Sequence, residues 1–370
     1  RELQLQPEGS HLYKRNGYYY LFDIDWPRGG VRREIVNRST NLMGPYEQRT
    51  VLYTTLNEGK GGFSANGVAQ GGIVDTPTGE WYGLLFQDHG PLGRCPVLVP
   101  MEWVDDWPVM AGGDAAGAAT GKTFGMAKMP EVGVMPAEVP VKTKTVTVAN
   151  WFGSDEFDYS ENKLGLAWQW NHNPVAEGWS LTERPGWLRI KPVSLAPNVL
   201  RARNSPSQRL PGPRCDTEVL LDFSGLQAGD RAGICAFQSN YASVGIAVDE
   251  NGEKHLSVMQ RAGGGNKRML GADDDGSQEM LALPVPDGVS TVALKISYIF
   301  DPADDNDTKR DFATLAYSFD GGKNWNDCGI ELQMRYTLDI FMGYRTFLYC
   351  YSTLATGGHA DFDYYHVDVR

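Results

Sequence analysis

The sequence is poor in cysteine and has no cysteine pattern. Its five cysteines (Cys95, Cys215, Cys235, Cys328 and Cys350) are scattered, with no C-x-x-C pair and no Cys/His grouping. A zinc site is therefore not expected, and buried free thiols are. Basic runs are also missing. Against 46 Asp and Glu stand 34 Lys and Arg, for a net charge of -12. A nucleic-acid binder shows a cationic footprint, so that class is disfavoured. No apolar stretch approaches ~18 residues, which leaves no candidate for a membrane-spanning helix. The chain opens on Arg1 without a charged-then-apolar leader, which says nothing about export if residues precede it. Helical periodicity is scarce, and no helix longer than two turns is expected.

What the sequence does contain is β pattern. Short aromatic or alternating runs are bounded by Gly, Pro, Asn and Asp. Gly17-Tyr18-Tyr19-Tyr20-Leu21-Phe22 and Gly79-Glu80-Trp81-Tyr82-Gly83-Leu84-Leu85-Phe86 have the same character, and their starts lie 62 residues apart. Such a period, with several strands in each, suggests propeller blades. Residues 111–121 are almost all Ala, Gly and Thr and cannot build a core; with the Pro-dotted stretch after them they read as a linker over 111–146. From 147 on, strand-like runs recur at 186–191, 216–223, 232–237, 243–248, 291–299, 312–319, 345–352 and 361–369, the pattern of a β-sandwich. Ser318-Phe319-Asp320-Gly321-Gly322-Lys323-Asn324-Trp325 is similar to the Asp-box hairpin of sialidases. One copy in a tight turn reads as structural.

Several segments carry a more specific likeness. Glu8-Gly9-Ser10-His11-Leu12-Tyr13-Lys14 precedes the first aromatic run. Arg38-Ser39-Thr40 with Gly44-Pro45-Tyr46-Glu47 follows it. Next come Gln70-Gly71-Gly72-Ile73-Val74-Asp75-Thr76, then Gly93-Arg94, Glu102-Trp103 and Asp106-Trp107-Pro108. Leu164 to Pro174, Glu183-Arg184-Pro185-Gly186 and Asp361-Phe362-Asp363-Tyr364-Tyr365 complete the set. In this order the chain resembles glycoside hydrolase family 43, the β-xylosidase and α-L-arabinofuranosidase family. The resemblance implies an all-β chain: a partial five-bladed β-propeller over 1–110, the linker, and a concanavalin-like β-sandwich over 147–370.

The resemblance also implies site residues. Glu8 stands where the family has its general acid. Glycosidic cleavage needs a protonated carboxyl at the leaving oxygen and a second carboxylate on the opposite face. A donor Glu keeps its proton through burial or a neighbouring carboxylate. The family's base and pKa-tuning aspartates lie N-terminal to that Glu, where this chain offers only Glu2. Asp23 and Asp25 match neither and read as loop carboxylates. Arg94 matches an arginine that reaches sugar hydroxyls. Gln70 stands where many members carry a channel His, a departure that weakens the case for a channel calcium. Phe341, in Asp339-Ile340-Phe341-Met342-Gly343-Tyr344, resembles a sandwich loop that walls the active site. His11 reads as structural, and Trp168, Trp170, Trp179 and Trp187 as core rather than sugar platforms. Asp301, Asp304, Asp305 and Asp307 form an acidic loop that leaves a structural calcium open, although a solvated loop is the plainer reading. No cofactor is required.

The resulting expectation is an inverting exo-hydrolase of xylan- or arabinoxylan-derived oligosaccharides. Two blades fall short of the 4–8 that close a propeller, so the base-bearing blades are expected on residues absent from this chain. The alternatives are a non-catalytic carbohydrate-binding protein, or one chain of a two-chain hydrolase whose first blades form a separate N-terminal polypeptide. Because hemicellulose is extracellular, an extracytoplasmic location is favoured.

Overall fold

In a computed structural model, residues 7–25, 32–53, 67–112, 118–119, 152–263, 272–300 and 310–370 are described. Two compact units divide the chain, Arg1–Val146 and Thr147–Arg370.

The first unit holds two antiparallel sheets. β1 (Glu8–Arg15), β2 (Tyr18–Asp25), β3 (Arg33–Ser39) and β4 (Glu47–Leu52) pair in sequence order. β5 (Ala69–Asp75), β6 (Trp81–Asp88), β7 (Arg94–Val104) and β8 (Trp107–Met110) form the second sheet in the same way. A two-residue strand, β9 (Ala118–Ala119), lies beside β4. The β1–β2 hairpin closes on Asn16-Gly17, both at positive φ (48° and 83°), the backbone that a two-residue turn requires. The two aromatic runs of the sequence are β2 and β6, the second strand of each sheet. Together the sheets are two propeller blades.

Period-two alternation decides which faces meet. Tyr20, Phe22 and Val36 of the first sheet pack with Ile73, Leu85, Val99 and Met101 of the second, closed by Trp107 and Met110. Each such side chain contributes about 1.5–3 kcal/mol when fully buried. Asp23 and Asp25 correct the sequence reading. They are not loop residues but lie on β2, 1% and 2% exposed. The strand continues through them because β3 supplies partners: Asn37 Nδ2 donates to Asp23 at 2.9 Å, and Arg33 Nε donates to Asp25 at 2.7 Å.

The second unit is a sandwich of two seven-stranded antiparallel sheets. One runs Gln169–Asn171, Ser205–Arg209, Arg345–Ser352, Asp230–Phe237, Tyr241–Val248, Lys254–Arg261 and Gln278–Pro284. The other runs Trp179–Ser180, Leu188–Ile190, Ala360–Val369, Arg214–Asp222, Thr291–Ile299, Phe312–Ser318 and Asn326–Gln333. Across the core, the Thr346 hydroxyl lies 3.1 Å from that of Thr217 and 2.7 Å from that of Tyr298, so the polar groups between the sheets satisfy one another. None of the five cysteines forms a disulfide, and four of them are buried. The Asp-box hairpin is a turn lock: Asp320 Oδ1 accepts the amides of Lys323 and Asn324, and Ser318 Oγ accepts that of Gly322. The Lys295 ammonium sits 3.7 Å from the Trp325 ring centre.

Of the four tryptophans read as core, Trp168 is buried and donates to Asp155 Oδ2 at 2.8 Å. Trp170 and Trp179 pack on each other at 4.9 Å and are half-exposed, and Trp187 lies under Arg184. The helical content among the described residues is three short 3-10 turns, and no helix there is long and apolar enough to cross a membrane.

One ion cluster ties the first strands of the sandwich to its last. Arg189 grips Asp361 with two bonds of 2.7 Å, and Arg184 adds a third at 2.9 Å. Burial raises the Asp361 pKa, but the two guanidiniums prevail and hold it below its ordinary value. Asp361→Ala should cost about 1.5–3 kcal/mol, because it removes the charge-assisted bonds to Arg184 and Arg189, which keep only Asp222 and Glu183, read as a fall in the urea midpoint of this unit. The parent's advantage is full above the unfolded carboxylate value of about 3.9 and fades as pH falls through the lower folded value. An advantage that survives in strong acid would remove Asp361 from this account.

Candidate active site

The start of β1, the end of β2 and the start of β3 lie at one end of the first sheet. In the second sheet the start of β5, the end of β6 and the start of β7 do the same. Side chains join these two ends.

Glu8 opens β1 opposite Ile24, which in turn faces Glu34. Directly opposed residues share a face, so Glu8 and Glu34 lie on one face, two strands apart, or about 10 Å. The β1–β2 register slips between Glu8 and His11, and such a bulge re-aims the side chains beside it. Gly9 is left-handed (φ 63°), and a Cβ there would collide with the Gln70 side chain. Gly9 is thus needed twice, for its φ and for the close approach. Glu8 itself is exposed.

Gln70 is the matching irregularity in the second sheet. Its φ is 64°, and the β5–β6 register slips between Ala69 and Gly72. The amide of Gln70, lost to the ladder, donates to Glu34 Oε2 at 2.7 Å. Glu34 is fully buried, and its Oε1 has no partner among the described residues. Burial drives its pKa well up, the Gln70 amide works against that, and Asp23 adds to it. Asp23 is also pushed up by burial, opposed by hydrogen bonds from Ser10 and Asn37.

Arg94 begins β7 opposite Asp88 and donates from Nε to Asp88 Oδ1 at 3.1 Å. Arg32 pairs with the other oxygen of Asp88, and both guanidiniums stack on Phe86. His89 is half-buried with its pKa lowered by burial, its Nε2 3.1 Å from Gln87 Oε1. His11 is exposed, its ring stacked against Tyr13. At the opposite end of the strands, Arg15, Trp81, Glu102 and Trp103 line a separate cavity of about 510 Å³.

The fold therefore brings Gly9, the residue after Glu8, against the Gln70 side chain and sets Arg94 at the same end of the blades. Phe341 belongs to the second unit, where it is 61% exposed with its ring 6.3 Å from that of Tyr336. The loop of Asp301, Asp304, Asp305 and Asp307 lies outside the described residues, as does most of the linker. Among the described residues no group of three or more His, Cys, Asp or Glu side chains is placed to hold a metal ion.

Residues 4–108 match the model of glycosyl hydrolases family 43, and residues 154–368 match that of the β-xylosidase C-terminal concanavalin A-like domain. The chain belongs to glycosyl hydrolase family 43. A β-xylosidase of Formosa agariphila is 29% identical over 98% of this chain and 59% of its own length. A non-reducing end α-L-arabinofuranosidase of Bacteroides ovatus is 30% identical over 69% of this chain and 46% of its own. A bifunctional GH43-CE protein of Bacteroides eggerthii superposes with a TM-score of 0.77 at 37% identity, covering 99% of this chain and 41% of that one. The chain thus spans about half the length of the family members it matches.

Glu34, Asp88 and Arg32 were missed by sequence reading. For Glu34 a signal existed: in Arg33-Glu34-Ile35-Val36, it shares the phase of Val36, so strict alternation places a carboxylate in the core face. Asp88 carried no such signal: its partner Arg94 lies six residues on, but Arg32 is 56 residues back.

The raised Glu34 pKa has a defined sign. The folded state holds the proton that the unfolded state releases, so stability declines as pH rises from about 4.3 toward the folded value. The decline is about 1.4 kcal/mol for each pH step in that window. Glu34→Gln copies the protonated shape and should remove it. Urea unfolding followed by hydrogen exchange in peptides of residues 7–112, at pH 4.5 and 8, measures it. Parallel pH dependence in parent and variant would mean that Glu34 titrates normally.

Proposed function

We propose that the protein carrying this chain is a glycosidase. It removes xylosyl or arabinofuranosyl units from the non-reducing ends of xylan-derived oligosaccharides. The names borne by its relatives, β-xylosidase and arabinofuranosidase, support the substrate class. The observation that carries the reading is the slipped register at Gly9. It leaves Gly9 and Ser10 out of the β1–β2 pairing, with Glu8 an exposed carboxyl one residue from the contact of Gly9 with Gln70, at the blade end that also carries Arg94.

Glu8 serves as general acid, protonating the leaving oxygen as the glycosidic bond breaks. Arg94, steadied by Asp88 and Phe86, donates to sugar hydroxyls, and Gln70 lines the pocket. Inversion calls for a base about 6.5–9.5 Å from Glu8 with a water between. A base must be ionised and in reach of that water. Asp23 and Glu34, buried and shifted upward, suit neither demand. The base accordingly comes from sequence outside these residues, in the same polypeptide or in a separate N-terminal one. If the acidic loop holds a calcium ion, its role is structural.

Glu8→Ala in the full-length enzyme should lower kcat by about 10²–10⁴-fold on xylobiose. The loss should be much smaller on an aryl xyloside whose phenol leaves without protonation. Equal losses on both substrates would move Glu8 out of the acid role, and an unchanged rate would remove it from the reaction.

A further inference from the structure

Arg345 opens the strand Arg345–Ser352 in the sandwich and is only 8% exposed. Directly opposite it on the two flanking strands stand Phe237 and Arg209, which therefore share its face. Among the described residues nothing accepts a hydrogen bond from its guanidinium, and the one charge acting on it is that of Arg209, of the same sign. Burial and Arg209 together push its pKa down to about 10. Its nitrogens are not sealed from solvent. The other buried arginines are satisfied: Arg33 by Asp25, and Arg261 by the Asp275 and Ser239 carbonyls. A buried guanidinium without an acceptor, beside a second one, is unfavourable unless an anion completes it.

The surroundings narrow the anion. Phe237 stacks on Phe347 at 3.8 Å between ring centres, and Ile340 and Met342 pack on the same apolar cluster. Phe341, between those two, projects into solvent. It is four residues from Arg345, within about 14 Å of extended chain. A partly exposed aromatic ring suits the C–H face of a pyranose, and paired guanidiniums suit a carboxylate taken bidentately.

We propose that Arg345 and Arg209 form a binding site for the carboxylate of a uronic acid carried as a substituent on an oligosaccharide. The choice of a uronic acid rests on the hemicellulose reading above, whereas the demand for an anion rests on the arginines alone. The site would let the sandwich hold acid-substituted chains in preference to neutral ones.

Calorimetric titration of the protein with xylotriose bearing one glucuronic acid, against unsubstituted xylotriose, tests the site. The substituted sugar is expected to bind at least ten-fold tighter, with the gain shrinking as salt rises. Arg345→Gln should abolish the difference while raising the melting temperature of the ligand-free protein, since it removes an uncompensated charge. Arg209→Gln, at an exposed position, should weaken binding several-fold and keeps the test readable if the first variant misfolds. Equal affinity for the two sugars, or a difference that both variants retain, would overturn the site. So would free glucuronate binding as tightly as the substituted xylotriose. None of these arms needs turnover, so a protein that binds without hydrolysing defeats only the role given to Glu8.

Discussion

A single hydrogen bond, from the Gln70 amide to the buried Glu34 carboxyl, sets the geometry of the blade end. It joins two sheets that also meet through apolar side chains and through polar pairs such as Arg32 with Asp88 and the Ile73 amide with the Tyr13 hydroxyl. A hydrogen bond of this kind contributes about 0.5–1.5 kcal/mol, and a buried amide left without one costs about 1–3. Gln70 can hold its left-handed backbone because that amide has somewhere to go. Its side chain then lies against Gly9, and Gly9 sits beside Glu8. The exposed carboxyl at the start of β1 is thus held by a contact chain that begins in the core of the neighbouring strand.

The two ends of the blades are built on opposite physical terms. One end is regular: Tyr20, Trp81 and Trp103 pack edge to face, and Arg15 lies 4.3 Å from the Trp103 ring centre. At the other end three registers slip, Gly9 and Gln70 take positive φ inside strands, and carboxylates are buried. Irregular backbone of this kind persists only where the surroundings over-determine it, and it concentrates at functional sites. The regular core supplies the stability that the irregular end draws on.

The sandwich handles charge in two ways. Asp361 is met by Arg184 and Arg189, with three hydrogen bonds, and lies across the junction of early and late strands. Arg345 is met by nothing among the described residues, although it is almost as deeply buried. The contrast within one domain marks the second case as unfinished business for a ligand, not as a general tolerance for buried charge. Family membership accounts for the fold of both units.

Much of the architecture was legible in the linear text. Aromatic runs bounded by Asn-Gly and Thr-Gly turns betrayed the second strand of each blade, because strand periodicity and turn chemistry are local. The strands missed in the sandwich were those without that signature. Gln278–Pro284 is an exposed edge strand of Gln, Glu, Met, Leu and Ala, residues with helical preference that are held extended only by pairing with Lys254–Arg261. The family resemblance singled out Glu8, Gln70 and Arg94 as candidates. Their partners were invisible: Asp25 with Arg33, Gln70 with Glu34, Asp88 with Arg32. By itself, then, the sequence determined the β class, the turns, the blade-and-sandwich order and the family. Only the tertiary structure decided which carboxylates are buried, which arginines they satisfy and which arginine is left without one. Those outcomes depend on strands brought side by side across dozens of residues, and on the desolvation that follows when they meet.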